Sequence, residues 1–512
     1  FKKGFFAHSV SYIVCTNHSK ILIFYYLFYM LPIPLYIKQT FFQANYKTRV
    51  VLENKFYLGY NHIRQKKKRE GVTMKLNYKR TFLIGLAFLS ISAMWQMYDN
   101  IIPLILQNTF GLGETITGVI MAADNVLALF LLPIFGALSD KIDTKAGKRM
   151  PFIVGGTVLA VFFLMMLPFA DRAVNLVLFV TALFALLVSM GLYRSPAVAL
   201  MPDLTPNKLR SKGNAVINLM GAVGGVYTLI MIKLLVGKGD RPDYMPLFIS
   251  LAALMIIAVG VLAITIKEKK VKEIVAAEVK AYEETSGMQV VTEDSEETAT
   301  KDAGEKKPMP KEVKRSMIFL LASIFLWFTA YNAVTTAFSR YTKAVWQLEG
   351  GGFADCLMVA TVAAIISYIP IGNIASKVGR KKTIMGGIVL MSICYFAAIF
   401  AGAYHPVINV AFAAIGVGWA AINVNSYPMI VEMSKGCDIG KFTGTYYTFS
   451  MTAQIMTPIL SGFLLENVSY RTLFPYAVVF SVLAFVTMTQ VHHGDARPDK
   501  KASALENFDV ED

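Results

Sequence analysis

The chain has 512 residues, 55% of them hydrophobic and 16% charged, with a mean hydropathy of +0.51. Apolar blocks near 20 residues match a hydrocarbon layer of roughly 30 Å at 1.5 Å per helical residue, and no soluble fold hides so much apolar surface. A soluble enzyme, a disulfide-stapled secreted domain and a disordered chain are excluded. Nucleic acid is excluded as a partner too: of the net charge of +16, residues 1–73 carry +10, so only +6 is spread over the rest.

In chain order, residues 1–73 are rich in Phe, Tyr, Ile, Lys and Asn, and their one apolar run, Ile21 to Tyr36, is short and broken by Pro32 and Pro34. Lys66-Lys67-Lys68-Arg69-Glu70-Gly71 is what a purine-rich ribosome-binding site yields when read in frame. The segment therefore reads as upstream leader sequence ahead of Met74; an extra membrane anchor is the other reading. From Met74 on, apolar blocks predict spans at 81–107, 116–138, 151–170, 175–201, 213–236 and 246–266, then at 316–341, 354–376, 383–403, 407–431, 442–465 and 471–491. The all-α fold expected is twelve transmembrane helices in two pseudo-symmetric six-helix bundles, 74–266 and 316–492. A charged, partly helical, solvated linker (267–315) joins them, and a tail (493–512) follows.

Lys and Arg concentrate in the loops after spans 2, 4, 8 and 10, which carry Lys141, Lys145, Lys148 and Arg149; Lys208, Arg210 and Lys212; Lys377, Arg380, Lys381 and Lys382; Lys435 and Lys441. Loops on the other side carry few. The positive-inside rule puts these basic loops, the linker and both termini in the cytoplasm of a bacterial inner membrane. Cys15, Cys356, Cys394 and Cys437 stand far apart without a CxxC or Cys/His cluster, so they read as small packing residues. No metal or other cofactor is implied, and His405, His492 and His493 sit at span ends.

An internal repeat supports the halving. Gly136…Asp140-Lys141, then Gly147-Lys148-Arg149, recurs as Gly372…Ser376-Lys377, then Gly379-Arg380-Lys381-Lys382. Trp95 with Tyr98-Asp99-Asn100 recurs as Trp327 with Tyr331-Asn332. Pro202-Asp203 ahead of Lys212-Gly213 recurs as Pro428 and Glu432 ahead of Lys435-Gly436. Two related six-span halves are the layout of an alternating-access transporter.

The two Gly…Gly-(Lys/Arg) loops resemble the major facilitator superfamily signature between helices 2–3 and 8–9. Leu132-Pro133…Gly136…Ser139-Asp140 with Gly147-Lys148-Arg149-Met150-Pro151 is similar to the corresponding region of plant-type sucrose transporters and their bacterial relatives. These belong to the glycoside–pentoside–hexuronide:cation symporter group. Span 4, with Arg194-Ser195-Pro196 and Met201-Pro202-Asp203, resembles the same group. The resemblance implies cation-coupled sugar transport and a gating role for the loop charges. In the melibiose-permease branch a second acid directly precedes the helix 2 proline; here Leu132 does, and Asp124 is that helix's acid, which favours protons over sodium.

Charge inside a span is costly and marks function by default. Asp99, Asp124 and Arg194 are the candidates for proton coupling, because moving an arginine relative to two carboxylates would load and release a proton; a structural ion pair is the plainer reading. Trp95 and Trp327 are candidates for stacking on sugar faces, with Gln96, Asn100, Asn125, Tyr331, Asn332, Asn423, Asn425 and Gln454 as hydrogen-bonding partners. The plainer reading of each is interhelical bonding. Asp140, Lys148, Arg149, Asp203, Arg380 and Glu432, at cytoplasmic helix ends, are candidates for an inside gate. The function expected is proton-coupled symport of a sugar such as a disaccharide, by a monomer with the lipid bilayer as its other partner. A proton-coupled antiporter exporting a drug or metabolite is the alternative. A non-transporting sensor is disfavoured by the short loops, and no nucleophile–base or metal constellation suggests an enzyme.

Overall fold

The structure is a computed structural model in which residues 74–286, 309–434 and 439–495 are described. The chain divides into two units, one of Phe1–Thr73 with Tyr282–Met288 and one of Met74–Ala281 with Gln289–Asp512; the helices below belong to the second, except that the last turn of α7, from Tyr282, falls in the first. The expectations for residues 1–73, for linker positions 287–308, for the tail beyond Asp495 and for Cys15, Lys435 and Cys437 lie outside the described residues.

Among the described residues all regular elements are helical: α1 (Tyr78–Asn108), α2 (Glu114–Lys141), α3 (Met150–Arg172), α4 (Leu176–Asp203), α5 (Arg210–Leu235), α6 (Met245–Thr265), α7 (Glu268–Ser286), α8 (Lys311–Trp346), α9 (Ala354–Val378), α10 (Arg380–Ile399), α11 (Ile408–Met433), α12 (Ile439–Asn467) and α13 (Leu473–Thr489). All except α7 contain stretches long and apolar enough to cross a membrane, twelve in number. They follow the expected spans to within a few residues; α8 overruns most, by about a turn at each end. Local chemistry sets the ends. Asn77 and Asn175 cap α1 and α4 by accepting from Arg80 N and Leu178 N at 3.1 and 3.0 Å, while Pro151 and Pro246 occupy first turns, where a missing N–H costs nothing.

The two halves repeat one packing scheme. α1 lies on α5 and α6, α2 and α3 on α4, and α3 on α6; correspondingly α8 lies on α12 and α13, α9 and α10 on α11, and α10 on α13. Close approach depends on small residues: a Cβ on Gly224 of α5 would sit 2.0 Å from Leu89 O of α1, and one on Gly416 of α11 equally close to Ala360 O of α9. The halves meet through α2–α12, α5–α9 and α1–α8.

The linker's first stretch is less solvated than its composition suggests. Glu268, 1% exposed at the start of α7, accepts from Lys148 N, Arg149 N and Met150 N at 3.0, 2.9 and 3.1 Å and so caps α3. Lys269 pairs with Asp143 at 3.1 Å, Lys272 with Asp203 at 3.4 Å and Glu278 with Arg80 at 3.1 Å. Charges that composition reads as solvating are thus spent fastening α7 to the first half. The second half has its own version: Asp495, just past α13, accepts from Lys381 N at 2.7 Å in the first turn of α10.

Candidate functional site

A cavity of about 770 Å³ lies between the halves. One helical face of α1 supplies Phe88, Ile91, Ser92, Trp95, Gln96 and Asp99, spaced by the three-and-four rhythm that puts side chains on one stripe. α4 adds Arg194, Val198, Met201 and Pro202, and α5 adds a polar run of Arg210, Ser211, Asn214 and Asn218 with the small residues Gly221, Ala222 and Gly225. From the second half come Thr361 and Tyr368 of α9 and Tyr447 of α12. The cavity therefore extends from Asp99 to the basic end of the bundle, where α4 ends and α5 begins.

At its deep end the Arg194 guanidinium lies 5.9 Å from the centroid of the Trp95 ring, and Trp95 meets Tyr98 edge-on at 5.5 Å. Of the three ionisable residues expected to cooperate, Asp99 and Arg194 line the cavity, while Asp124 of α2 lies outside its wall. Asn125 lies outside the cavity wall and donates from Nδ2 to Asp124 Oδ1 at 2.8 Å. The Trp95 indole N–H is buried without a protein acceptor.

The other predicted contacts are scattered. Gln96 lines the cavity, but Asn100 is 1% exposed and donates to Gln96 O at 2.9 Å, one turn back. Trp327, the repeat partner of Trp95, is buried inside the second half, and the neighbouring Asn332 has a buried Nδ2 without an acceptor. Tyr331 stacks on Trp419 with ring centroids 3.7 Å apart and planes 2° from parallel. Asn423 and Asn425 are buried on α11, Asn425 bonding Ala421 O at 2.9 Å; Gln454 is half-buried on α12. Reasoning from sequence missed Ser92, Arg210, Ser211, Asn214, Asn218, Thr361, Tyr368 and Tyr447. The α5 stretch carries a signal, since Arg210, Asn214 and Asn218 recur every fourth residue, but Arg210 and Ser211 precede the apolar block and by hydropathy belong to the loop.

At the basic end Arg149 bridges Asp140 and Asp203, the latter at 3.0 Å, and also donates to Ser139. Lys148 meets Glu268 through its backbone N–H. Arg380 bonds Glu432 at 2.6 Å. These pairs join α2, α3 and α4 within one half and α10 and α11 within the other. At the far end it is the halves themselves that are joined. Glu114 of α2 pairs with Arg340 of α8 at 2.8 Å, Lys233 of α5 with Asp355 of α9 at 2.6 Å, and Thr115 N donates to Glu466 of α12 at 2.8 Å.

Comparison with known proteins accords with this architecture. The family model described as Major Facilitator Superfamily matches residues 84–359 and 349–508. The chloramphenicol resistance protein CraA of Acinetobacter baumannii is 24% identical over 181 residues, 34% of this chain and 42% of that protein. The sucrose transport protein SUC4 of Arabidopsis thaliana is 31% identical over 131 residues, 23% of this chain and 26% of that protein. The chain thus spans less than half the length of these curated relatives. The solved inward-open structure of the xylose transporter XylE from E. coli superposes with a TM-score of 0.56 at 15% identity, covering 79% of this chain and 94% of that one. Among the described residues, twelve helices long and apolar enough to cross a membrane lie in two like halves around a central cavity, and with this family match over most of the chain they have one explanation: the chain is a multi-pass membrane protein and belongs to the Major Facilitator Superfamily.

Proposed function

We propose that the protein is a proton-coupled symporter of a sugar or glycoside in a bacterial inner membrane, with its basic end in the cytoplasm and the cavity facing inward. The observation behind this reading is the position of Asp99 on the cavity wall, on the same stripe of α1 as Trp95, which holds the Arg194 guanidinium against its ring. A proton taken up by Asp99 removes one charge from the wall and changes the field on Asp124 and, through it, on Arg194. A cavity whose charge balance depends on proton occupancy can tie its preferred opening to a proton gradient. Gln96, Asn214 and Asn218 offer paired donors and acceptors of the kind vicinal hydroxyls use, and Trp95 offers an aromatic face. The stretch similar to a sucrose transport protein favours the same reading.

The second reading is proton-coupled export of a drug or metabolite, favoured by the stretch similar to a chloramphenicol resistance protein. One experiment separates the two. In proteoliposomes, counterflow is measured over a panel of sugars and of antibiotics, with an imposed proton or sodium gradient. Sugar counterflow with proton-driven sugar accumulation is the expected result. Antibiotic-driven proton release without sugar counterflow would establish the exporter instead.

A further inference from the structure

α5 carries four glycines, and packing accounts for three of them. A Cβ on Gly224 would run into Leu89 O of α1, one on Gly213 would lie 2.9 Å from Met201 Sδ, and one on Gly221 would lie 2.8 Å from Ser92 Oγ. Gly225 differs. Outside α5 itself, the one atom within 4 Å of a Cβ there would be Gln96 Oε1 at 3.5 Å, an ordinary contact. Its φ is helical, so no left-handed conformation calls for glycine either. Gly155 and Gly386 have as much room, but on exposed outer surface, whereas Gly225 is buried on the cavity wall. Glycine inside a helix is less favourable than alanine. A destabilising residue thus stands where no packing contact requires it.

A second observation points the same way. Trp95, next to Gln96 on α1 and also on the cavity wall, has its indole N–H buried without a protein acceptor. A buried donor left unmet is costly, so it marks a place where a solute oxygen is welcome. We propose that Gly225 sets how bulky a solute the deep end admits. The recess over its bare backbone takes the edge of one unbranched sugar ring, whose oxygens meet the Gln96 amide and the Trp95 indole N–H. The sugar rests on the symporter reading; the recess does not. A side chain at 225 fills the recess without displacing α1, so the effect falls on the solute.

Thermal unfolding separates the two neighbouring glycines. Gly225→Ala should hold or raise the melting temperature, and Gly224→Ala should lower it, since only the latter meets backbone. Labelling then measures the recess without a substrate. In a chain with its native cysteines replaced by alanine, Gln96→Cys is reacted with N-methylmaleimide and with N-cyclohexylmaleimide, in purified protein held in lipid nanodiscs. Gly225→Val should slow the cyclohexyl reagent by roughly tenfold or more and the methyl reagent far less, with Gly225→Ala between. If Gly225→Val does not fold, Gly225→Ala carries the same contrast at smaller amplitude. In proteoliposome counterflow, Gly225→Ala should lower kcat/KM for sucrose relative to glucose by about fivefold or more. A melting temperature that falls as far in Gly225→Ala as in Gly224→Ala would overturn the proposal. So would labelling slowed equally for both reagents or for neither, or an unchanged sugar ratio. If neither sugar exchanges, the symporter reading fails, and the melting and labelling contrasts still decide the recess.

Discussion

The Arg194 guanidinium lies over the indole of Trp95, 5.9 Å from the ring centroid, which fixes a cation from α4 against an aromatic face of α1. A cation–π contact of this kind contributes about 0.5–2 kcal/mol, depending on how dry it is. Trp95→Ala removes that contact and an aromatic face of the cavity wall, so the apparent KM for sugar counterflow should rise. Trp95→Tyr should retain part of the affinity. An unchanged KM in Trp95→Ala would remove Trp95 from the binding wall.

Asp99→Asn and Asp124→Asn should each abolish accumulation against a gradient while leaving counterflow, which moves no net proton, measurable. Uptake driven by an imposed pH step, compared with counterflow in the same proteoliposomes, distinguishes the two. Full accumulation in both variants would end the proton-coupling reading.

Asn218 faces the cavity, whereas Asn425 is buried in the second half and bonded to Ala421 O. Asn218→Ala should raise KM by roughly tenfold, the cost of about one hydrogen bond. Asn425→Ala should instead cost about 1 kcal/mol of stability with little change in KM. Thermal unfolding in detergent and counterflow kinetics on both variants test the assignment.

Glu268 accepts three backbone N–H groups at the start of α3. Glu268→Ala should lower stability by about 2 kcal/mol, since buried donors lose their acceptor, and Glu268→Gln should recover part of that. Thermal unfolding of the two variants reads the difference.

Asp243, between α5 and α6, hydrogen-bonds Arg172 at 2.6 Å, and that bond holds its carboxyl below the usual aspartate range. A carboxylate depressed in the folded state adds stability that is present above the ordinary aspartate range and lost as pH falls through its lowered pKa. The pair is half-exposed, so the contribution is small. Asp243→Asn should leave neutral-pH stability nearly unchanged and flatten its fall on acidification, as followed by melting temperature against pH.

The spans were readable because twenty-residue apolar blocks leave few alternatives, and the repeat was readable because Gly136/Gly372 and Trp95/Trp327 keep their spacing. Which of the repeated residues would face the cavity was not. Trp95 and Trp327 occupy equivalent positions, yet one lines the cavity and the other is buried. That outcome depends on how the two halves lean, which no periodicity within one helix encodes. The start of α5 was missed because Arg210 and Lys212 lower the local hydropathy, although Arg210 lies on the same stripe as Asn214 and Asn218. Glu268 was read as a solvated linker charge because its partners lie about 120 positions earlier in the chain.

The cavity's lopsided wall divides the labour between the halves. Nearly every group that could grip a solute belongs to α1, α4 and α5, and the second half contributes Thr361, Tyr368 and Tyr447. Under the proposed transport, a cargo held this way would travel with the first half as a passenger, while the second half would trade a few hydroxyl contacts for water. Changes on α5 would then retune what is carried, and changes on α9 or α12 how soon it is let go.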